Sequence, residues 1–146
     1  MMTRLKAKRF PGEGNASRTV AIQLPFITET FPEIRGCHSG TINLEFEAPL
    51  IVACPDHRTP PIKWKQSLEV GEVFDLVRVS LEIPTKGTAH DAWLYVAHRS
   101  AHRKNLSRHE LIAPYLNMDT VEELGVVIKR RCIHLPYRHN PVYVVL

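Results

Sequence analysis

The chain has no apolar run near the 18 or so residues that a membrane-spanning helix needs, and its basic start, Met1 to Arg9, leads into no apolar signal core. A membrane partner is therefore not expected. Cysteine is scarce. Cys37, Cys54 and Cys132 leave one thiol over even if two were bridged, and a chain of 146 residues buries enough surface to fold without a disulfide staple. That usage predicts a reducing, cytoplasmic setting. The cysteines and the eight histidines also lack the paired spacing of structural zinc sites, although Cys37 and His38, Cys54 and His57, and Cys132 and His134 lie close in sequence. Internal repeats and low-complexity tracts are missing. Apolar residues at 44% and charged residues at 23% exclude a disordered or fibrous chain, and the length predicts one domain over residues 1–146. Acid is outnumbered by base, 15 residues to 19, so the net charge of +4 favours an anionic partner: a nucleotide, free phosphate or nucleic acid.

What is present reads as short strands divided by proline-bearing loops. Thr3 to Phe10 alternates Leu5, Ala7 and Arg9 with Arg4, Lys6 and Lys8, which predicts an edge strand with a cationic side toward solvent. Pro11 to Ser17 is a loop by composition, and free backbone N–H groups in such a loop can cradle an anion. Thr19 to Leu24 is predicted to resume as a strand with Val20 and Ile22 on one face. Pro25 to Phe31 then begins a short helix that ends near Ile34. Ser39 and Gly40 turn into a strand in which Thr41, Asn43 and Glu45 face one way and Ile42, Leu44 and Phe46 the other. Pro49 to Ala53 is a short apolar run, and the prolines of Cys54 to Pro61 exclude regular structure there. Phe74 to Ile83 is the clearest strand, and Ala92 to Ala97 is apolar almost throughout, as suits a central strand of a closed barrel.

Asp119 with Glu122 as its capping partner, Val121 and Leu124 as a buried face, and Gly125 as a stop predict a second helix over Asn117 to Gly125. Val126 to Leu135 is the last long strand, with Pro141 to Leu146 pairing at its edge. Without regular βα alternation, these elements predict a mainly β protein, a compact β-barrel with two short helices.

Thr41, Asn43 and Glu45 form a file of short oxygen-bearing side chains directly after a glycine, a pattern that can hold a magnesium ion or accept hydrogen bonds from a polar ligand. Gly40-Thr41-Ile42-Asn43-Leu44 resembles the Gly-Thr-Leu-Asn signature of the CTP-dependent riboflavin kinases. Two further segments fall in that family's order, Gly14 through Leu24-Pro25 upstream and Glu110-Leu111-Ile112-Ala113-Pro114 downstream. The resemblance implies a six-stranded cradle-loop barrel. It implies Thr41 and Asn43 on a magnesium ion that bridges nucleotide phosphates, and Gly12, Gly14, Ala16 and Arg18 near those phosphates. His38 and Gly40 would lie beside the nucleotide, and Glu110 near the flavin as acceptor of the hydroxyl proton. The reaction implied is phosphoryl transfer from CTP to riboflavin, giving FMN. Two departures stand out: the family's spaced glycines continue where this chain has Ala16 and Arg18, and its arginine after Ile-Ala-Pro is absent, Asn117 and Met118 standing there.

The residues by themselves leave two other readings open. One is a nucleic-acid-binding basic β-barrel, from the cationic tracts Arg4 to Arg9, His98 to Lys104 and Lys129 to Arg131, with Trp64 between Lys63 and Lys65. The other is a diverged barrel that binds or phosphorylates another small molecule.

Overall fold

Two ten-residue strands, Phe74–Ile83 (β5) and Thr88–Ala97 (β6), pair antiparallel along their whole length. They are joined by a turn at Pro84–Lys86 that ends on Gly87 at φ 62°, a left-handed backbone suited to glycine. In this structure, a computed structural model, residues 2–10, 16–99, 105–129, 132–136 and 143–145 are described, with backbone alone at 16–18, 134, 136 and 143–145. The remaining barrel strands are Met2–Arg9 (β1), Ile42–Phe46 (β2), Arg108–Ile112 (β7) and Glu123–Lys129 (β8). β5 pairs with β8 on its far side, Val79 opposite Ile128 and Leu81 opposite Val126. β8 then pairs with β1, β1 with β2, β2 with β7, and β7 with β6, all antiparallel. The result is a closed barrel, as the strand pattern predicts, with the six strands that the resemblance implies. His57–Arg58 (β4) extends β5 beyond the closure, so the Cys54 to Pro61 stretch does hold a short strand between its prolines, contrary to expectation. A small second sheet joins Ile51–Val52 (β3), Ile133–Pro136 (β9) and Tyr143–Val145 (β10).

Inward side chains fill the barrel. Leu5 and Ala7 from β1, Leu44 and Phe46 from β2, Val77 to Ile83 at alternate positions of β5, and Val126 and Ile128 from β8 pack as one core. The alternation expected for β1 holds, but the edge position does not. β1 has a partner on each side, because closure of the barrel removes its edges.

A single helix, Ala16–Thr30 (α1), lies outside the barrel where two pieces were predicted, a strand over Thr19 to Leu24 and a short helix from Pro25. Burial falls on Val20, Gln23, Leu24 and Ile27, a spacing of three to four, while Ile22 is 49% exposed. Pairing Val20 with Ile22 at period two therefore groups two residues that face different ways. Pro25 lies inside the helix, where it lacks the N–H that would reach the carbonyl of Ala21, and its own carbonyl accepts a bond from Thr28 Oγ1 at 3.2 Å. The buried stripe of α1 packs with Ile34 on Phe74, Leu76, Trp93, Tyr95, Ala97 and Ile112. That explains the apolar run of β6: Ala92 and Leu94 face the barrel core, and Trp93, Tyr95 and Ala97 face the helix layer.

The second predicted helix, over Asn117 to Gly125, is instead a turn followed by β8. Asn117 Oδ1 accepts the Asp119 N–H at 3.0 Å, Thr120 takes φ 66°, and the Val121 N–H reaches the Met118 carbonyl. Seven residue pairs with β1 and four with β5 outweigh the capping signal of Asp119 and Glu122. Gly125 lies opposite Lys6 and Glu82, where a Cβ would come within 3.1 Å of Glu82 Oε1. The predicted strand Val126 to Leu135 divides in the same way, into β8 and β9.

The helical period of α1 gives a direct stability contrast. Ile27→Ala is expected to cost about 2–4 kcal/mol, as for a fully buried aliphatic side chain, and Ile22→Ala to stay within about 0.5 kcal/mol of the parent. Urea unfolding of the two variants checks this, and equal losses would contradict the helical placement.

Candidate functional site

β2, β7 and β6 stand side by side, so register decides which outward side chains meet. Asn43 is opposite Glu110, and Glu110 is opposite Tyr95. The three form one row across the outside of the barrel, beside α1. Thr41, just before β2, completes the group: its Oγ1 is 3.2 Å from Asn43 Oδ1 and 3.4 Å from Glu110 Oε1. Asn43 is buried, and Thr41 and Glu110 are half-buried. A hydroxyl has one proton, so Thr41 can donate to only one of the two acceptors at a time.

The donor set is a hydroxyl, an amide oxygen and a carboxylate, all hard oxygens. Ligand oxygens about 2.1 Å from an octahedral magnesium stand about 3 Å apart, close to the separations found here. The Thr41 and Asn43 oxygens, 3.2 Å apart, are thus compatible with a shared magnesium ion, with the Glu110 carboxylate beside them. Among the described residues, no three His, Cys, Asp or Glu side chains converge on a metal position, and no disulfide joins Cys37, Cys54 and Cys132. Cys37 with His38 and Cys54 with His57 are thus part of no such cluster, and the side chain of His134 lies outside the described residues. His57 lies stacked between Phe31 and Trp93 and ion-paired to Glu33.

Neighbouring loops are tied to this row. The Phe10 N–H donates to the Asn43 carbonyl at 3.1 Å, so the chain entering the 11–15 segment starts beside the site. The His38 N–H donates to the Ala113 carbonyl at 2.7 Å, which joins the loop before Thr41 to the loop after Glu110. Arg9 Nη1 donates to the Met118 carbonyl, and Lys86 Nζ to the Asn117 carbonyl at 2.9 Å. A scan against protein-family models and a search of curated proteins found no match.

Of the residues singled out from sequence, Thr41, Asn43 and Glu110 are brought together. Gly40 is next to Thr41, and the ring of the exposed His38 lies over Gly40, 3.4 Å from where a Cβ would stand. Gly12 and Gly14 lie outside the described residues, and Ala16 and Arg18 fall in the first turn of α1. Several neighbours escaped the sequence. The Tyr95 hydroxyl donates to Gln23 on α1, both side chains being buried, and its acidity is suppressed by burial and by the carboxylates of Glu110 and Glu72. Arg108 has its guanidinium 4.7 Å from the Phe10 ring centre and 3.6 Å from Glu45. Period-two spacing from Glu110 was a usable signal for Arg108, whereas Tyr95 depends on a register between distant segments.

A recess of about 100 Å³ beside Glu110 and Tyr95 is too small for a nucleotide or flavin, so a large ligand reaching Glu110 must extend along the surface. A groove of about 810 Å³ lies elsewhere, over β1 between β2 and the β5–β6 turn. Its walls mix Arg4, Lys6 and Lys8 with Glu45, Glu47, Glu82 and Glu123, and Arg4 Nε is 2.7 Å from Glu82 Oε1. This balance suits a polyphosphate poorly. It also breaks up the basic face that the Arg4 to Arg9 tract promised for nucleic acid. Trp64 has Lys65 over its ring at 4.8 Å and donates to Glu72 Oε1 at 2.9 Å.

Beside the recess, near the start of β5, two buried carboxylates hold the end of β6. Asp75 accepts from Arg58 Nε and Nη2 at 2.7 and 3.1 Å and lies 2.8 Å from His98 Nε2, and Glu72 accepts the Arg99 N–H at 2.7 Å. Burial by itself would raise the Asp75 carboxyl, but hydrogen bonds from Arg58 and His98 and their charges bring it below the usual carboxylate range. Burial keeps His109 less basic than an ordinary histidine, against the opposing pull of the Leu106 and Leu50 carbonyls.

With its folded pKa depressed, Asp75 adds stability that is complete above about pH 4 and lost as pH falls through the folded value. Asp75→Asn is expected to be about 1–3 kcal/mol less stable than the parent at pH 7, with the gap narrowing toward pH 3. Urea midpoints at the two pH values check the sign; a gap independent of pH would contradict it.

Proposed function

We propose that the chain catalyses magnesium-dependent phosphoryl transfer from CTP to riboflavin, giving FMN, at the Thr41, Asn43 and Glu110 cluster. The observation that carries this reading is the meeting of three oxygen-bearing side chains, with Thr41 Oγ1 at 3.2 Å from Asn43 and 3.4 Å from Glu110. Those are the residues on which the resemblance to the CTP-dependent riboflavin kinases rests, and they come from segments 69 positions apart.

Phosphoryl transfer asks a protein chiefly to align the attacking oxygen and to neutralise charge on the transferring group. Thr41 and Asn43 would hold magnesium, which when bound would offset negative charge on the nucleotide phosphates. Glu110 accepts the proton of the attacking ribityl hydroxyl as its oxygen bonds to the terminal phosphorus and the bond to the nucleoside diphosphate breaks.

Both departures from the family pattern have a physical counterpart. Ala16 and Arg18 have helical backbone, so neither position demands the positive φ that only glycine adopts cheaply. In place of an arginine after Pro114, Lys86 and Arg9 bring cations to the carbonyls of Asn117 and Met118. The mixed charges over β1 give the nucleic-acid reading less support than the oxygen cluster gives this one.

Thermal shift with magnesium and CTP, followed by fluorescence-detected FMN formation, tests the reading. The parent is expected to be stabilised by about 2.7 kcal/mol at a CTP concentration 100 times its dissociation constant, and to form FMN. Asn43→Ala should lose both responses while unfolding normally. FMN formation by that variant at the parent rate would contradict the assignment.

A further inference from the structure

An exposed aromatic ring contacts the loop that leads into the oxygen cluster. Tyr115 is 71% exposed, yet its ring meets the His38 ring in a T-shaped contact at 5.3 Å and 74°. The His38 ring in turn lies beside Gly40, 3.4 Å from where a Cβ there would stand, and Gly40 adjoins Thr41. Tyr115, His38, Gly40 and Thr41 thus make a continuous path from solvent to Asn43 and Glu110.

The backbone under this ring is fixed at several points. Ala113 is buried and its carbonyl takes the His38 N–H, Pro114 restricts the preceding dihedral, and the carbonyls of Asn117 and Met118 are bonded by Lys86 and Arg9. Burying the phenol ring against its own chain would lower its exposed apolar area, but the segment presents it instead. A prepositioned aromatic with a free face loses little conformational entropy when a flat ring stacks on it. Such stacking tolerates different rings, since every base has a π-face.

We propose that Tyr115, backed by His38, is the stacking platform for the planar heteroaromatic ring of a ligand whose phosphate end reaches Thr41, Asn43 and Glu110. This rests on the reading of that cluster as the phosphate end of the site. The ring belongs either to the nucleotide or to the flavin, and both expose the same chemistry to the platform. Tyr115 is a positioning residue for binding and takes no part in the transfer itself.

Calorimetric titration of the full chain with magnesium present separates these sources. CTP is compared with inorganic tripolyphosphate, and FMN with inorganic phosphate, for the parent, Tyr115→Ala and Tyr115→Phe. Loss of one base–aromatic stack is expected to weaken one ring-bearing ligand roughly 5- to 150-fold in Tyr115→Ala, leaving the ring-free ion unchanged and Tyr115→Phe near the parent. Weakening of CTP assigns the platform to the base, and weakening of FMN assigns it to the flavin. If the ring-free ions bind and Tyr115→Ala holds CTP and FMN as the parent does, the platform is overturned while the cluster stands. If the parent binds none of the four, the cluster reading falls and the platform with it.

Discussion

Closure of the barrel between β5 and β8 is the constraint on which the remaining geometry depends. Val79, Ser80, Leu81 and Glu82 pair with Ile128, Val127, Val126 and Gly125, and this seam turns a curled sheet into a closed surface. A slip of one residue at any strand pair would exchange inward and outward side chains around the ring. With Leu44, Leu111, Leu94 and Ile128 all fully buried inside, such a slip would expose a large part of the core. The outward row therefore inherits its register from the packing of the inward one. Asn43, Glu110 and Tyr95 are neighbours because Leu44, Leu111 and Leu94 are core residues.

The helix layer adds a second constraint on the same row. α1 covers β5, β6 and β7 on the outside, and its buried Gln23 takes the Tyr95 hydroxyl bond. A buried phenol and a buried amide would each be costly without a partner, so this contact holds the helix at one position along β6. Burial and the Glu110 and Glu72 carboxylates keep Tyr95 protonated and able to donate. Among the described residues several charges are paired locally: Arg58 with Asp75, Arg4 with Glu82, and Arg108 with Glu45; residues 100–104 and 130–131 of the cationic tracts lie outside the described residues. The net charge of +4 thus says less about a partner than the placement of particular side chains does.

Much of the barrel was legible because period-two alternation is a strong local signal. β2 and β5 were readable from their own residues, and β5 has the bounds that its pattern predicts. α1 was misread because Pro25 looks like a helix start, while the burial of Val20, Leu24 and Ile27 shows the true period only when the helix is continued through it. The Asp119 to Gly125 helix was misread because its capping signals are local, whereas pairing with both β1 and β5 is not. At the site, Thr41 and Asn43 were legible from one strand, and Glu110 came only from the resemblance. Arg108, Tyr95 and Tyr115 depend on registers and loop contacts across distant segments, which no local pattern encodes.

The proposed function requires that Thr41 and Asn43 hold a divalent cation against a polyphosphate, beside Glu110. Adding Mn²⁺ with CTP to isotope-labelled protein tests it most directly, because a paramagnetic ion broadens the NMR signals nearest to it. The account predicts strongest broadening at the Asn43 side-chain amide and at the backbone amides of 41–43 and 110. Broadening centred on Glu45, Glu47, Glu82 and Glu123, with Asn43 unaffected, would move the cation to the groove over β1 and contradict it.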